Sequence, residues 1–122
     1  MKMDKQPIKK LRLYGFADLG NRIQIILAKD RNFFEIFGEL VPNSDFADNG
    51  YVNKRGQWIS KTRYMTEKFI DEIERPNDEM GIIYGNKRIF ITIFTNSKSK
   101  GKLIEKIKNI TEWVPKVSFQ CL

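Results

Sequence analysis

The sequence contains no histidine and a single cysteine, Cys121, and each scarcity excludes a kind of chemistry. Without an imidazole the chain lacks the commonest general base, and it cannot form a Cys–His or Ser–His nucleophile pair. Histidine is also a principal zinc ligand, so its absence argues against a zinc centre. A lone cysteine permits no intramolecular disulfide, which suits a reducing compartment.

Long hydrophobic runs are missing as well. No apolar stretch approaches the ~18 residues that a transmembrane helix needs, and residues 1–10 lack the apolar core of a signal peptide. We therefore expect a cytoplasmic protein with no membrane partner. The chain has 122 residues, of which 41% are hydrophobic, and this predicts one domain over residues 1–122 with a substantial core.

Acidic residues are fewer than basic ones, 15 against 22, which gives a net charge of +7. The surplus is unevenly placed along the chain. The net charge is +5 in residues 1–31, −2 in 32–60, −2 in 61–79 and +6 in 80–122. Basic ends around an acidic middle favour a polyanionic partner, although solvated lysines would give the same pattern.

The first part of the chain shows the alternation that is typical of β-strands. Residues 8–17 alternate between apolar and polar side chains, which predicts a strand with one wet face. A Gly-Asn pair within 19–22 predicts a tight hairpin turn, and 23–28 would be the return strand. Gly15 interrupts the first strand, where a bulge is expected.

Residues 33–41 are predicted as a third strand. Counting by twos places Phe34, Ile36 and Leu40 on the core face, and Gly38 marks a second bulge or bend. Under this interpretation the opposite face of the strand carries two glutamates and two further phenylalanines.

Turn-forming residues dominate the next segment, 43–58, which we expect to be a long loop with room for a small hairpin around 53–56. A helix is predicted to follow it. Ser60 or Thr62 would cap this helix, and its amphipathic pattern continues to about Glu74 with an acidic outer face.

The last part of the chain contains a second hairpin and a second helix. Residues 81–95 hold another Gly-Asn turn, and the long arm is apolar on both faces, since Phe90 and Phe94 alternate with isoleucines. That pattern predicts a central strand. Residues 100–114 predict a helix, and 116–122 would be a tail or a short edge strand.

The predicted order is therefore β-β-β-α-β-β-α, which indicates the α+β class. Two architectures fit this order: an antiparallel sheet with two packed helices, and a five-stranded OB-like barrel. Fold alone does not determine function, which depends on individual side chains.

A lysine-rich turn precedes the last predicted helix, and it is the first candidate binding segment. Its cations are Lys98, Lys100, Lys102 and Lys106. A helix N-terminus attracts anions and disfavours cations, so lysines here suggest a bound phosphate as the counter-charge. The spacing of a P-loop is absent, which excludes the nucleotide-hydrolase version of this idea. A solvated loop is the simpler alternative.

Two further segments combine cations with aromatic side chains, as single-stranded nucleic-acid sites do. The candidate residues are Lys9, Lys10, Arg12 and Tyr14 in the first strand, and Lys54, Arg55 and Trp58 in the long loop. Ordinary alternatives exist for both segments: an exposed strand face with protective lysines, and a tryptophan that closes the core.

No catalytic motif, metal-ligand spacing or cofactor fingerprint occurs in the sequence, so we expect a non-enzymatic protein without metal or cofactor. Two functional hypotheses follow. The first is a binding protein whose lysine-rich surface contacts nucleic acid or a protein of nucleic-acid machinery. A single strand is one form that the nucleic acid could take. The second is a protein-binding modulator: an inhibitor, immunity or chaperone-like protein, such as phages and mobile elements encode.

Overall fold

The fold is known from a computed structural model that describes residues 9–42, 50–74, 79–113 and 119–121. Its elements, in chain order, are β1 (Leu11–Asp18), β2 (Arg22–Ala28), α1 (Arg31–Leu40), β3 (Gly50–Val52), β4 (Trp58–Ser60), α2 (Lys61–Glu72), β5 (Met80–Tyr84), β6 (Arg88–Phe94), α3 (Ser97–Ile110), β7 (Thr111–Trp113) and β8 (Phe119–Cys121).

The main sheet has the strand order β5-β6-β2-β1-β7, and β8 also pairs with β1, on the side of β7. Strands β5, β6, β2 and β1 are antiparallel neighbours, whereas β7 and β8 run parallel to β1. The described strands β5 and β7 are the two edges and do not pair, so the sheet is open. The predicted α+β class is confirmed, and the alternative of an OB-like barrel is wrong. The other alternative, an antiparallel sheet with two packed helices, is correct only in part, because the sheet is mixed and three described helices pack on it.

The strand predicted at 33–41 is wrong, because this segment forms helix α1. The side chain of Asp30 accepts a hydrogen bond from the backbone N–H of Phe33 at 3.1 Å and caps the helix. Phe33, Ile36 and Phe37 are buried, a spacing of three and four residues that follows the helical period. Phe34, predicted to face the core, is exposed.

A β-bulge in β1 decides which side chains of this strand reach each face. The pairing of β1 with β2 shifts by one residue between Leu13 and Gly15, as expected for the glycine. Leu13 and Phe16 are both buried as a result, while Tyr14 and Gly15 lie between them on the opposite face. A Cβ atom at Gly15 would lie 3.0 Å from Cδ1 of Ile26, so a side chain fits there only if Ile26 moves.

The remaining helix predictions are confirmed with shifted boundaries. Ser60 caps α2, as one of the two predicted alternatives, through a hydrogen bond from Arg63 N–H. Helix α3 begins at Ser97, three residues before the predicted start, because the side chain of Asn96 accepts hydrogen bonds from the first turn. The predicted end of this helix at residue 114 is wrong, because α3 ends at Ile110 and Thr111–Trp113 continue as strand β7, which pairs with β1.

The hairpin predictions are confirmed too. Strands β5 and β6 form the hairpin predicted at 81–95, and β6 is central because it pairs with both β5 and β2. Strands β3 and β4 form the small hairpin predicted inside the long loop, and β8 supplies the predicted short strand in the tail. The bulge predicted at Gly38 is wrong, since this glycine lies within α1.

One hydrophobic core joins the three described helices to a single face of the sheet. It contains Leu11, Leu13, Phe16, Ile23, Ile25, Leu27, Phe33, Ile36, Phe37, Met65, Phe69, Ile73, Ile89, Ile91, Ile93, Leu103 and Ile107. The alternate side chains of β1, β2, β5 and β6 point away from it, and no described element covers them. In the described part of the chain, no helix has the length and apolar character that a membrane crossing requires.

Candidate nucleic-acid interface

The structure disperses the lysines of the predicted lysine-rich turn. Lys100 lies in the first turn of α3, and its Nζ atom is 3.0 Å from Oδ1 of Asp18 and 3.1 Å from the backbone oxygen of Gly20. The Lys100 and Asp18 side chains are only 20% and 17% exposed. This ion pair joins α3 to the turn between β1 and β2, so Lys100 acts in the fold.

The carboxylate of Asp18 is held in its charged form by this arrangement. The backbone N–H of Gly20 donates to it at 3.0 Å, and Lys100 adds a hydrogen bond and a positive charge. Together they lower the pKa of Asp18 below its ordinary value of 3.8. The Asp18 carboxylate is therefore the anionic partner of Lys100 at the start of α3, and the phosphate suggested for this turn stays a prediction.

Lys106 also has a carboxylate partner, because its ammonium group pairs with Glu74 just after α2. Lys102 is exposed and lines a depression of about 120 Å³ with Lys106 and Glu74. Lys98 is exposed in the first turn. Thus two of the four lysines, Lys98 and Lys102, lie on the exposed surface of α3, on the helical side of the sheet.

The basic residues around β1 are also partly neutralised. Lys9 pairs with Glu39 of α1, and Arg12 lies 3.7 Å from Asp30 and 3.5 Å from Glu112. Lys10 is exposed, and its backbone oxygen accepts a hydrogen bond from the side chain of Asn32.

The third predicted segment forms the β3–β4 hairpin, which packs on the helical side through Tyr51. The Tyr51 ring contacts Phe37 of α1 and Tyr64 of α2. Lys54 and Arg55 are exposed at the tip of the hairpin.

Trp58 does not close the core. It is 50% exposed and pairs across the hairpin with Val52, which is 44% exposed. The hairpin therefore exposes an apolar pair, Val52 and Trp58, in the strands that lead to the two cations at its tip.

A different surface of the molecule concentrates exposed aromatic side chains. We call it the open face: the outward side chains of β1, β2, β5 and β6, on the side of the sheet opposite the three described helices. Phe90 and Phe94 are 38% and 40% exposed, and Ile83, which pairs with Phe90, is 68% exposed. Large apolar groups on the central strand β6 are thus left in solvent, which is unusual away from binding sites.

Arginine supplies most of the described charge on this open face. The guanidinium of Arg88 lies over the ring of Tyr14, 5.0 Å from its centroid, in a cation–π arrangement. Arg22 pairs with Phe94 across the strands, and Arg12 lies on the same face of β1. Glu112 of β7, which pairs with Arg12 across the strands, and Asp30 are the acidic side chains close to Arg12. The arrangement offers ring faces next to delocalised cations.

On the open face the structure places two of the predicted site residues, Arg12 and Tyr14, with residues that were not predicted. The missing members are Phe90, Phe94, Arg88 and Arg22. The alternation of β6 contains the signal for Phe90 and Phe94, but apolar side chains on both faces of a strand predict that both faces are buried. The sequence of β6 does not show that the described helices cover only one of its faces.

A groove of about 370 Å³ lies between α2 and the β3–β4 hairpin. Tyr64 contributes to its wall, and partial burial raises the pKa of this tyrosine above its ordinary value of 10.0. Arg63 and Glu67, also in the wall, pair with each other at 2.9 Å. Among the described residues, no three acidic or cysteine side chains cluster as a metal site requires.

Comparisons of the chain with protein-family models, curated proteins and solved structures gave no significant match.

Proposed function

We propose that this protein binds single-stranded nucleic acid on the open face of its sheet. The observation that carries the proposal is the pair of exposed rings, Phe90 and Phe94, on a central strand whose charged neighbours are arginines. Bases stack on exposed aromatic rings without regard to sequence, and a sheet presents such rings on a flat, rigid platform.

The arginines supply the second half of the interaction. Arg88 lies over the Tyr14 ring, and Arg22 pairs with Phe94 across the strands, so two arginines share the open face with the exposed rings of Phe90 and Phe94. Guanidinium groups bind phosphate through paired hydrogen bonds. The net charge of +7 adds a general attraction for a polyanion.

A single strand suits this surface better than a duplex. Bases of a duplex are stacked on each other and are not available to Phe90 and Phe94, and a flat sheet face does not enter a groove. We therefore expect affinity for single strands to exceed affinity for duplexes of the same sequence, and to fall steeply with salt because phosphate contacts release counterions.

The test is an anisotropy titration of a labelled single-stranded oligonucleotide at ~50 mM salt, where phosphate contacts are strong. Phe94→Ala should weaken binding about 5- to 150-fold, since one stacked base contributes ~1–3 kcal/mol. Arg88→Gln should reduce the slope of log K against log salt by about 0.7, the value for one phosphate contact on a single strand.

The matched control removes charge from the other side of the sheet. Lys98→Gln with Lys102→Gln alters two exposed cations of α3 and should leave the stacking affinity of the open face intact. If this control abolishes binding while Phe94→Ala retains it, the ligand lies on the lysines and the open face is not the site. Absence of binding by the wild type at low salt would refute both versions.

The protein-binding modulator remains a second candidate, and the β3–β4 hairpin favours it. Trp58 is half exposed beside Val52, with Lys54 and Arg55 at the tip, and tryptophan and arginine are frequent at interface hot spots. Trp58→Ala should abolish recovery of a stoichiometric protein from the native host while oligonucleotide binding is unchanged. Equal recovery of the partner protein by the wild type and by Trp58→Ala would remove the support for this candidate.

A further inference from the structure

Strand β5 is an edge strand without the usual protection against pairing. Among the described residues it pairs only with β6, and its sequence, Met80–Tyr84, contains neither a charge nor a proline. Natural edge strands commonly carry lysine, proline or a bulge to prevent association. At the other side of the sheet, β7 and β8 cover β1.

The hydrogen bonds that border β5 establish which backbone groups face outward. Glu79 oxygen accepts from Phe94 N–H at 3.0 Å, and Gly85 N–H donates to Arg88 oxygen at 2.8 Å. Bonded positions alternate along an antiparallel pair, so the odd-numbered residues of β5 bond to β6. The N–H and C=O groups of Met80, Ile82 and Tyr84 consequently point away from the sheet.

We propose that these outward groups pair with the same groups of a second copy of this chain, in an antiparallel β5–β5 dimer centred on Ile82. In this register Ile82 faces Ile82 of the partner subunit, and Met80 faces Tyr84 of the partner subunit. Each facing pair of this kind exchanges two backbone hydrogen bonds. The two sheets become one continuous sheet.

The side chains of β5 favour this register because they complement each other. Ile83 is 68% exposed on the open face, and the register places it opposite Gly81 of the partner subunit. Space around Gly81 is empty, since a Cβ atom there would meet nothing within 4 Å. The glycine therefore leaves room for the isoleucine of the other copy, and the two-fold axis repeats the fit.

Charge does not oppose this contact. Each copy has a net charge of +7, but β5 itself is uncharged, so no like charges face each other within the paired strands. An unrelated extended peptide could satisfy the backbone groups, but it would not supply an isoleucine and a glycine in the matching register. Self-pairing is the occupant that the side chains of β5 specify.

The dimer would place the open faces of both copies on one side of the joined sheet. In each copy Phe90 would lie on β6, the second strand from the two-fold axis. The dimer does not depend on nucleic-acid binding, and its test uses the protein alone.

Light scattering coupled to size exclusion should give about twice the chain mass of 14.4 kDa for the wild type. Ile83→Lys should raise the dimer dissociation constant at least about tenfold, because a lysine ammonium would be desolvated opposite the glycine. Phe90→Lys is the matched control: it lies beside Ile83 on the same face but on β6, so the dimer should persist. Oligonucleotide binding should fall in this control.

Register is tested by disulfide trapping in a Cys121→Ser background. Residues 81 and 83 of different copies would form a non-bonded antiparallel pair, with Cα atoms about 4.5 Å apart, within disulfide range. A mixture of Gly81→Cys and Ile83→Cys chains should give a cross-linked heterodimer, whereas Ile83→Cys alone should cross-link far less. A monomeric wild type, larger assemblies, an unaffected Ile83→Lys dimer or equal cross-linking in both samples would overturn the proposal.

Discussion

Residues of one type, close together in the sequence, acquire different functions from their surroundings. Lys100 and Lys102 are both in the first half of α3, but only Lys100 reaches Asp18 and the oxygen of Gly20. Lys102 stays exposed beside Glu74. The two lysines cannot be distinguished from the local sequence, because Asp18, the partner of Lys100, is 82 positions away. Local spacing carries no information about such a contact.

The Asp18–Lys100 pair predicts a pH dependence of stability. The pKa of Asp18 is lowered in the folded protein, so its contribution is complete above the ordinary value of 3.8 and is lost as pH falls through the lowered pKa. Asp18→Asn should reduce the free energy of unfolding by about 1 kcal/mol at neutral pH. The difference from wild type should shrink in strongly acidic solution.

Urea unfolding followed by circular dichroism at neutral and acidic pH measures this difference. Lys100→Gln is the companion variant, and it should reproduce part of the neutral-pH loss while keeping the Gly20 hydrogen bond. A constant difference at both pH values would show that Asp18 does not stabilise the fold through its charge.

At the scale of elements, capping residues decide where helices begin more sharply than apolar periodicity does. The segment 33–41 fits a period of two and a helical period almost equally well, since its phenylalanines occur on both counts. The carboxylate of Asp30, bonded to Phe33 N–H, resolves the ambiguity. The sequence predicted α2 correctly because Ser60 stands at the start of an unambiguous helical pattern.

Helix α3 permits a direct test of capping within one element. Asn96→Ala removes the acceptor for Lys98 N–H and Ser99 N–H, and should lower the free energy of unfolding by about 1 kcal/mol. Asn109→Ala makes the same change at an exposed position in the last turn. It should be neutral or slightly stabilising because alanine has the higher helix propensity. Equal effects in thermal unfolding would contradict the capping role.

Strands were predicted correctly where one face is polar. In β6, where both faces are apolar, the sequence does not show which face is exposed to solvent. The β1–β2 and β5–β6 hairpins follow from two Gly-Asn turns and from alternation, whereas the pairing of β2 with β6 was not predicted. The exposure of Phe90 and Phe94 does not, because it depends on three helices that pack on the other face. Most of the candidate site could therefore not be predicted from the sequence, because it depends on which face of the sheet the helices cover.

On the scale of the whole molecule, the fold separates the basic segments that the sequence suggested could converge. The lysines of α3 lie on the helical side, and Lys106 pairs with Glu74 after the acidic helix α2. Arg12, Arg22 and Arg88 lie on the open face. A single lysine-rich surface is thus weakened as a binding hypothesis, and the arginine and phenylalanine surface replaces it in our proposal.

The two sheets should also differ in stability. Strands β2 and β6 are paired on both edges and bury one face, whereas β3 and β4 form a two-stranded hairpin of three residues each. Two-stranded hairpins are marginal without packing support. Hydrogen exchange followed by mass spectrometry should show faster exchange in 50–60 than in β2 and β6, through local opening. Uniform protection would indicate that the hairpin unfolds only with the core.

The outer neighbours of β1 come from a distant part of the chain. Leu11 pairs with Thr111, and Phe16 pairs with Phe119. At ~5–20 residues per second, roughly 5–20 seconds of translation separate the two partners. During that interval β1 is itself an edge strand, able to pair with another nascent chain. A ribosome that stops after α3 would release a product whose helices are complete and whose first strand is unprotected.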